Sequence, residues 1–320
     1  MFRYCTIQKN PKLSVSALGK NHEPVSDFLS FTVYSSMRNQ GSLSPKLADL
    51  YRHVCWVDMH ALKPGNTGIH SSDPVPSVED FLSSAQVSAE SMAAPALTLG
   101  ERVLRAVQAT HLAVGTNTNL GIILLVAPLI QACLRRETGS DLAKSLWAVL
   151  RQSTVQDAKK VYQAIRMAEP GGMGHKQNQD IYEEPTVTLL NTMKYASSWD
   201  RIANQYSNNY HDILFFGAPH FEALMARWND ECWAATGLFL AFLSRFPDSL
   251  IERKFGVLKA REISDMITPL EKEFYRSDSP IRYEARLLEI DDQLRRDRIN
   301  PGTTADLTVA SIFAVGLGTL

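Results

Sequence analysis

The sequence predicts an all-α fold, a single multi-helix bundle with an irregular N-terminal extension, and three observations carry that prediction. Apolar residues recur at three- and four-residue intervals over most of the chain beyond residue 44. Hydroxyl side chains followed three residues later by a carboxylate, the signature of a helix start, occur three times. No series of alternating apolar and polar runs intervenes to build a sheet. At 320 residues and 45% hydrophobic content, the chain has ample apolar surface for a core.

The elements follow in order. Residues 1–43 are rich in Ser, Asn, Lys and Pro, with one brief alternation at Leu29, Phe31 and Val33, and form the irregular extension; residues 44–320 form the helical domain. Ser44-Pro45 suits a cap followed by the first helical residue. Ser77 with Asp80, Thr98 with Glu101, and Thr154 with Asp157 read as capping boxes. The first precedes a stripe of Phe81, Ala85, Ala89 and Met92; the second precedes Val103 and Val107; the third precedes Val161 and Ile165, with Tyr162 beside them. Leu120 to Leu134 is the most apolar segment, yet it is shorter than the roughly 20 residues a bilayer span requires, so it reads as a buried helix. Pro170 to Gly174 cannot continue a helix and forms a loop. Further helical patterns run from Pro185 to Ser197, Trp199 to Phe216, His220 to Ser244, Ala260 to Tyr275, Ile281 to Arg298 and Ala305 to Leu317.

Charge and cysteine usage narrow the function. With 33 basic and 34 acidic residues and no charge blocks, nothing marks a nucleic-acid binder or a polybasic membrane anchor. Cys5, Cys55, Cys133 and Cys232 lie far apart, so neither a zinc site nor a disulfide framework is expected. No secretory signal is legible at the N-terminus, and the expected compartment is the cytoplasm.

Five local patterns are candidates for chemistry. Asp58 precedes the turn Lys63-Pro64-Gly65-Asn66, where lysine offers a charge to phosphate, Gly65 permits close backbone approach and Asn66 both donates and accepts; an ordinary turn with a solvated lysine explains the same residues. Gly115 to Gly121 is a polar loop containing Asn117 and Asn119 that runs into the apolar helix, whose N-terminal amides suit an anion; simple capping is the alternative. Asp200, Asn204, Asn208 and Asp212 recur every four residues, which on a continuous helix makes one polar face suited to magnesium, or else a solvated surface. Arg253-Lys254 can hold a polyphosphate or sit on an exposed turn. Asp306 opens an apolar terminal helix, as a dipole-favoured acid or a reacting carboxylate.

Taken in order, these motifs resemble the triphosphoribosyl-dephospho-CoA synthase family over roughly Ser44 to Leu317, through an acid before a Lys-Pro-Gly turn, an Asn-Thr loop and a late Pro-Gly-x-x-Ala-Asp-Leu segment. The resemblance implies an all-helical enzyme that uses magnesium, with ATP and dephospho-CoA as substrates. It moves a triphosphoribosyl group to a ribose 2'-hydroxyl and releases adenine. Asp58 and Asp306 are then expected at the reacting sugar, Lys63, Gly65, Asn66, Asn117, Asn119, Arg253 and Lys254 at the substrates, and Asp200 and Asp212 at the metal.

The departures are specific. Asn119-Leu120 stands where the family reads His-Lys, and Ser249 to Gly256 matches its Asp-Thr-Asn and Arg-Gly-Gly segment only loosely. The Pro170 loop, Asp157-Ala158 and Tyr162 to Arg166 are similar to a divergent branch associated with one-carbon coenzyme synthesis of the pterin or furan type, which makes a related coenzyme precursor the alternative acceptor. Two further readings compete: a metal-dependent phosphohydrolase using His211-Asp212, and a helical nucleotide-binding scaffold without chemistry.

Overall fold

In the computed structural model, which describes residues 43–72, 74–136, 141–171 and 179–320, no strand occurs among the described residues. The expected extension lies outside the described residues up to position 42, and Leu43 opens α1 (Leu43–His60). Ser44 lies inside that helix instead of capping it, and its hydroxyl donates to Ala93 O at 2.7 Å, at the end of α2 (Val78–Ala93).

All three predicted capping boxes form. Ser77 Oγ accepts from Asp80 N at 3.1 Å while Ser77 N donates to Asp80 Oδ2 at 2.8 Å. Thr98 and Glu101 do the same at the start of α3 (Leu99–Val114). Next comes α4 (Leu120–Arg135), with thirteen of its sixteen residues buried, as a helix apolar on all sides must be. A short helix that the periodicity did not predict, α5 (Leu142–Arg151), is capped by Asp141 and packs on α4. Thr154 and Asp157 then open α6 (Val155–Ala168), where Asp157 also accepts from Gly100 N at 2.8 Å and so joins the starts of α3 and α6.

The pattern from Pro185 to Ser197 shortens to α7 (Leu189–Ala196). The continuous helix expected from Trp199 to Phe216 breaks: α8 (Arg201–Ser207) ends before Asn209 and Tyr210, both at φ 59° in the left-handed region. A tertiary demand explains the break. Pro128 lacks the amide that would satisfy Leu124 O within α4, and the hydroxyls of Tyr206 and Tyr210 reach that carbonyl at 2.6 and 3.5 Å. The chain continues through a π-helical turn, Ile213–Gly217, into α9 (Ala218–Trp228).

The single helix expected over His220 to Ser244 is two. Asn229 takes φ 49°, and Asp230 accepts from Trp233 N at 2.9 Å to start α10 (Glu231–Arg245). Then follow α11 (Ser249–Phe255), α12 (Val257–Arg276), a 3₁₀ turn at Pro280–Tyr283, α13 (Glu284–Arg296) and α14 (Gly302–Leu317). Helices α4 and α14 pack together at the centre, each buried on nearly every face. Around them lies the larger apolar cluster, and a smaller one joins Phe239 and Leu243 of α10 to Ile263, Ile267 and Phe274 of α12 and Leu287 of α13. Among the described residues no helix is long and apolar enough to cross a membrane.

Candidate active site

Five helix ends meet at one open cleft of about 880 Å³, within the roughly 300–1,000 Å³ typical of ligand sites. The end of α1 brings Asp58, and the start of α4 brings Leu120 and Gly121, with Asn117 just ahead of it. The cap of α8 brings Asp200, the end of α11 brings Arg253 and Lys254, and the first turns of α14 bring Thr303 and Asp306. Acids lining the cleft (Asp58, Glu169, Asp180, Asp200, Glu252, Asp306) outnumber its cations, while Trp199, Ile202, Leu250 and Val257 supply apolar wall.

Asp306 stands one turn into α14 rather than at its first residue, since the helix begins at Gly302. Among the described residues its carboxyl has no hydrogen-bond or ion-pair partner. Burial, followed by the negative charges of Asp58 and Asp248 and then of Asp200, pushes its pKa well above the carboxylate range, against the opposing pull of Lys63.

Asp58 is buried and forms a short ion pair with Lys63, itself only 2% exposed. Burial raises the Asp58 pKa and the Lys63 ammonium opposes that rise. Lys63 does not line the cleft; it also donates to Asn66 Oδ1 at 2.8 Å, so its charge is used inside the protein and not offered to phosphate. The rest of the turn is fastened to α13 and its C-terminal loop. Gly65, at φ 81°, donates its N–H to Asp291 Oδ1 at 2.7 Å, and a Cβ there would meet Ile299 O at 2.8 Å. Asn66 reaches the cleft while its Nδ2 donates to Asn300 Oδ1 at 2.9 Å. Gly65 therefore serves the turn, and Asn66 alone of the four lines the cleft.

The polar loop divides in the same way. Asn117 lines the cleft, and its Oδ1 accepts from Leu120 N at 3.2 Å. Asn119, 3% exposed, accepts from Thr110 Oγ1 at 3.0 Å and donates to Ser88 Oγ and Tyr51 Oη at 3.3 and 3.4 Å. It ties α1, α2 and α3 together and does not line the cleft.

The acidic stripe is not one face, because α8 ends before Asp212 is reached. Asp200 caps α8 through Ala203 N at 2.9 Å and meets Arg253 Nη1 at 3.4 Å. Arg253 also donates to Gly171 O at 3.1 Å, and exposed Lys254 stands beside the same loop. Asp212 lies away from the cleft, bound by Arg201 and Gln205 at 2.6 Å each, which removes it from a metal set with Asp200. Its neighbour His211 is exposed and packs at a tilt against Phe215, ring centroids 5.3 Å apart. Among the described residues no three His, Cys, Asp or Glu side chains gather to hold a metal, so the His-Asp dipeptide builds no hydrolase centre there.

Three residues in or behind the cleft are not among the expected site residues. Tyr162 lines the cleft and donates to Gln179 O at 2.7 Å; burial pushes its phenol up to about 12. Asp180 lines the cleft and accepts from Tyr182 N at 2.9 Å. Asp248 lies behind the cleft and joins two helix starts; Pro247-Asp248-Ser249 ahead of a helix was the available signal.

The comparisons with known proteins point to one family. Residues 44–320 match the family model for ATP:dephospho-CoA triphosphoribosyl transferase, CitG. No curated protein matches the chain. A solved structure of a candidate triphosphoribosyl-dephospho-CoA synthase from Archaeoglobus fulgidus is 27% identical, with a TM-score of 0.56 over 73% of this chain and 97% of that one. All-α among its described residues, the chain belongs to the CitG family of ATP:dephospho-CoA triphosphoribosyl transferases and is by that membership an enzyme of the transferase class.

Proposed function

We propose that the chain moves the triphosphoribosyl group of ATP to the 2'-hydroxyl of dephospho-CoA. The N-glycosidic bond between adenine and C1' breaks, a bond from C1' to the acceptor oxygen forms, and the hydroxyl proton, taken first by a base, ends on the departing adenine, which leaves neutral as the second product. The observation that carries this reading is Asp306: a carboxyl without a partner among the described residues, in an acid-lined cleft that also presents Arg253 and Lys254.

Asp306 takes the proton of the attacking hydroxyl, a role that suits a carboxyl whose pKa is raised. Asp58, held in place by Lys63, puts negative charge near a C1' centre that develops oxocarbenium character, as in glycoside cleavage. Arg253 and Lys254 hold the triphosphate, and Asn66 and Asn117 contact the sugars.

The excess of acid in the cleft opposes a polyphosphate unless divalent cations accompany it. The donors present are hard oxygens, and Asp200 together with substrate phosphates fits the one-carboxylate mode by which Mg²⁺ is commonly held. When bound, magnesium neutralises phosphate charge and fixes the chain of phosphates. The cytoplasm is the compartment this reading requires, as the site of both nucleotide substrates.

Incubation with ATP, magnesium and dephospho-CoA, followed by mass analysis, tests the proposal. A product heavier than dephospho-CoA by one triphosphoribosyl group supports it. Intact ATP and acceptor, with turnover of a pterin or furan precursor instead, replaces it with the one-carbon branch; retained nucleotide binding with no turnover replaces it with the scaffold reading.

A further inference from the structure

Neither Asp248 nor Ser249 lines the cleft, and each is only 2% exposed, yet together they bind the first turns of three helices. Asp248 Oδ1 accepts from Leu250 N at 2.8 Å and Ile251 N at 3.0 Å, which caps α11. Its other oxygen accepts from Thr304 N at 2.7 Å and Thr304 Oγ1 at 2.8 Å, in the first turn of α14. Ser249 Oγ donates to Thr303 Oγ1 at 3.1 Å, again in α14, and accepts from Arg201 N at 3.2 Å, the first residue of α8. Those three helices carry Asp200 at the cap of α8, Arg253 and Lys254 at the end of α11, and Asp306 in α14.

A cap requires only the first pair of these bonds. The second carboxylate oxygen and the serine hydroxyl do something else: they fix α11 and α8 to α14. Four hydrogen bonds also offset the burial that raises the Asp248 pKa, as a carboxylate held inside the protein requires.

We propose that Asp248 and Ser249 are positioning residues for the transfer, setting the separation between the groups that hold the phosphates and the carboxyl that receives the proton. The role rests on the function proposed above. Displacement at C1' needs the donor, fixed by its phosphates, and the acceptor, fixed at Asp306, to be in line; small misplacement costs rate far more than ground-state affinity.

The test is steady-state adenine release by the full chain and its variants, normalised to ATP-binding sites counted by titration. Asp248→Ser keeps a capping hydroxyl for α11 but has no second oxygen for Thr304. It should retain wild-type helix content and an ATP KM within about threefold, while kcat falls about thirtyfold or more. Asp248→Asn keeps the carbonyl cap and part of the contact with Thr304 Oγ1, and should recover an intermediate kcat. Ser249→Ala should lower kcat less, because Asp248 still joins α11 to α14. Wild-type kcat per binding site in Asp248→Ser, with wild-type protein active, overturns the positioning role alone. Wild-type protein that releases no adenine overturns the functional reading and this role with it.

Discussion

The carboxyl of Asp306 lies against the backbone of Gly121, so closely that a Cβ at Gly121 would fall 1.9 Å from Asp306 Oδ2. Gly121 stands in the first turn of α4, where nothing in its backbone conformation demands glycine. The requirement is space for the acid. Gly121→Ala should therefore keep the fold, since alanine is the better helix former by roughly 1 kcal/mol, yet displace Asp306. We expect adenine release to fall about a hundredfold or more with an unchanged melting temperature; wild-type rates in this variant would separate Asp306 from the chemistry.

The Asp58–Lys63 pair makes a different prediction, because both partners are buried. Lys63→Met leaves a carboxyl without its counter-ion and should destabilise the protein by about 3–5 kcal/mol. Adding Asp58→Asn removes the stranded charge and should restore much of that loss in urea unfolding. A lysine that served only phosphate would show no such rescue.

The raised pKa of Asp306 has a definite sign in stability. A carboxyl that holds its proton more tightly in the folded than in the unfolded state contributes stability that is fully present below the ordinary value near about 4 and is lost as pH rises through the folded value. Asp306→Asn carries no such loss. The variant should be more stable than wild type in thermal unfolding at neutral pH, with the difference shrinking as pH falls toward about 4. A difference independent of pH would contradict a raised pKa at this partly exposed carboxyl.

Arg253 bridges Gly171 O and Asp200 across the cleft, and its contact with Asp200 is long at 3.4 Å, so the guanidinium is available to a phosphate. Arg253→Ala should raise the KM for ATP about tenfold, equivalent to about 1.4 kcal/mol, with a smaller change in kcat. Arg253→Lys should recover part of that affinity, as a point charge without the bidentate fork. Initial rates at varied ATP check both.

Much of this molecule is legible in its sequence wherever the deciding interaction is local. The capping boxes at Ser77, Thr98 and Thr154 form as read because each spans three residues. The break after Ser207 was not legible. It follows from Leu124 O, a carbonyl 82 residues from Tyr206 that Pro128 leaves without a helical donor. The polar motifs located the neighbourhood of the site but not the direction of each side chain. Asn117 and Asn119 are two residues apart; one faces the cleft and the other is enclosed among α1, α2 and α3. Lys63 offered the right charge, but Asp58 takes it. Asp248 escaped notice because its second partner, Thr304, is 56 residues away.

The most direct test of the account is the rate of free-adenine release from magnesium-ATP on addition of dephospho-CoA, in wild type and in Asp306→Asn. We expect release that depends on the acceptor in wild type, and loss of at least about a thousandfold in the variant with ATP affinity preserved, as removal of an essential proton acceptor requires. Release at the wild-type rate by Asp306→Asn, or release indifferent to dephospho-CoA, would contradict it.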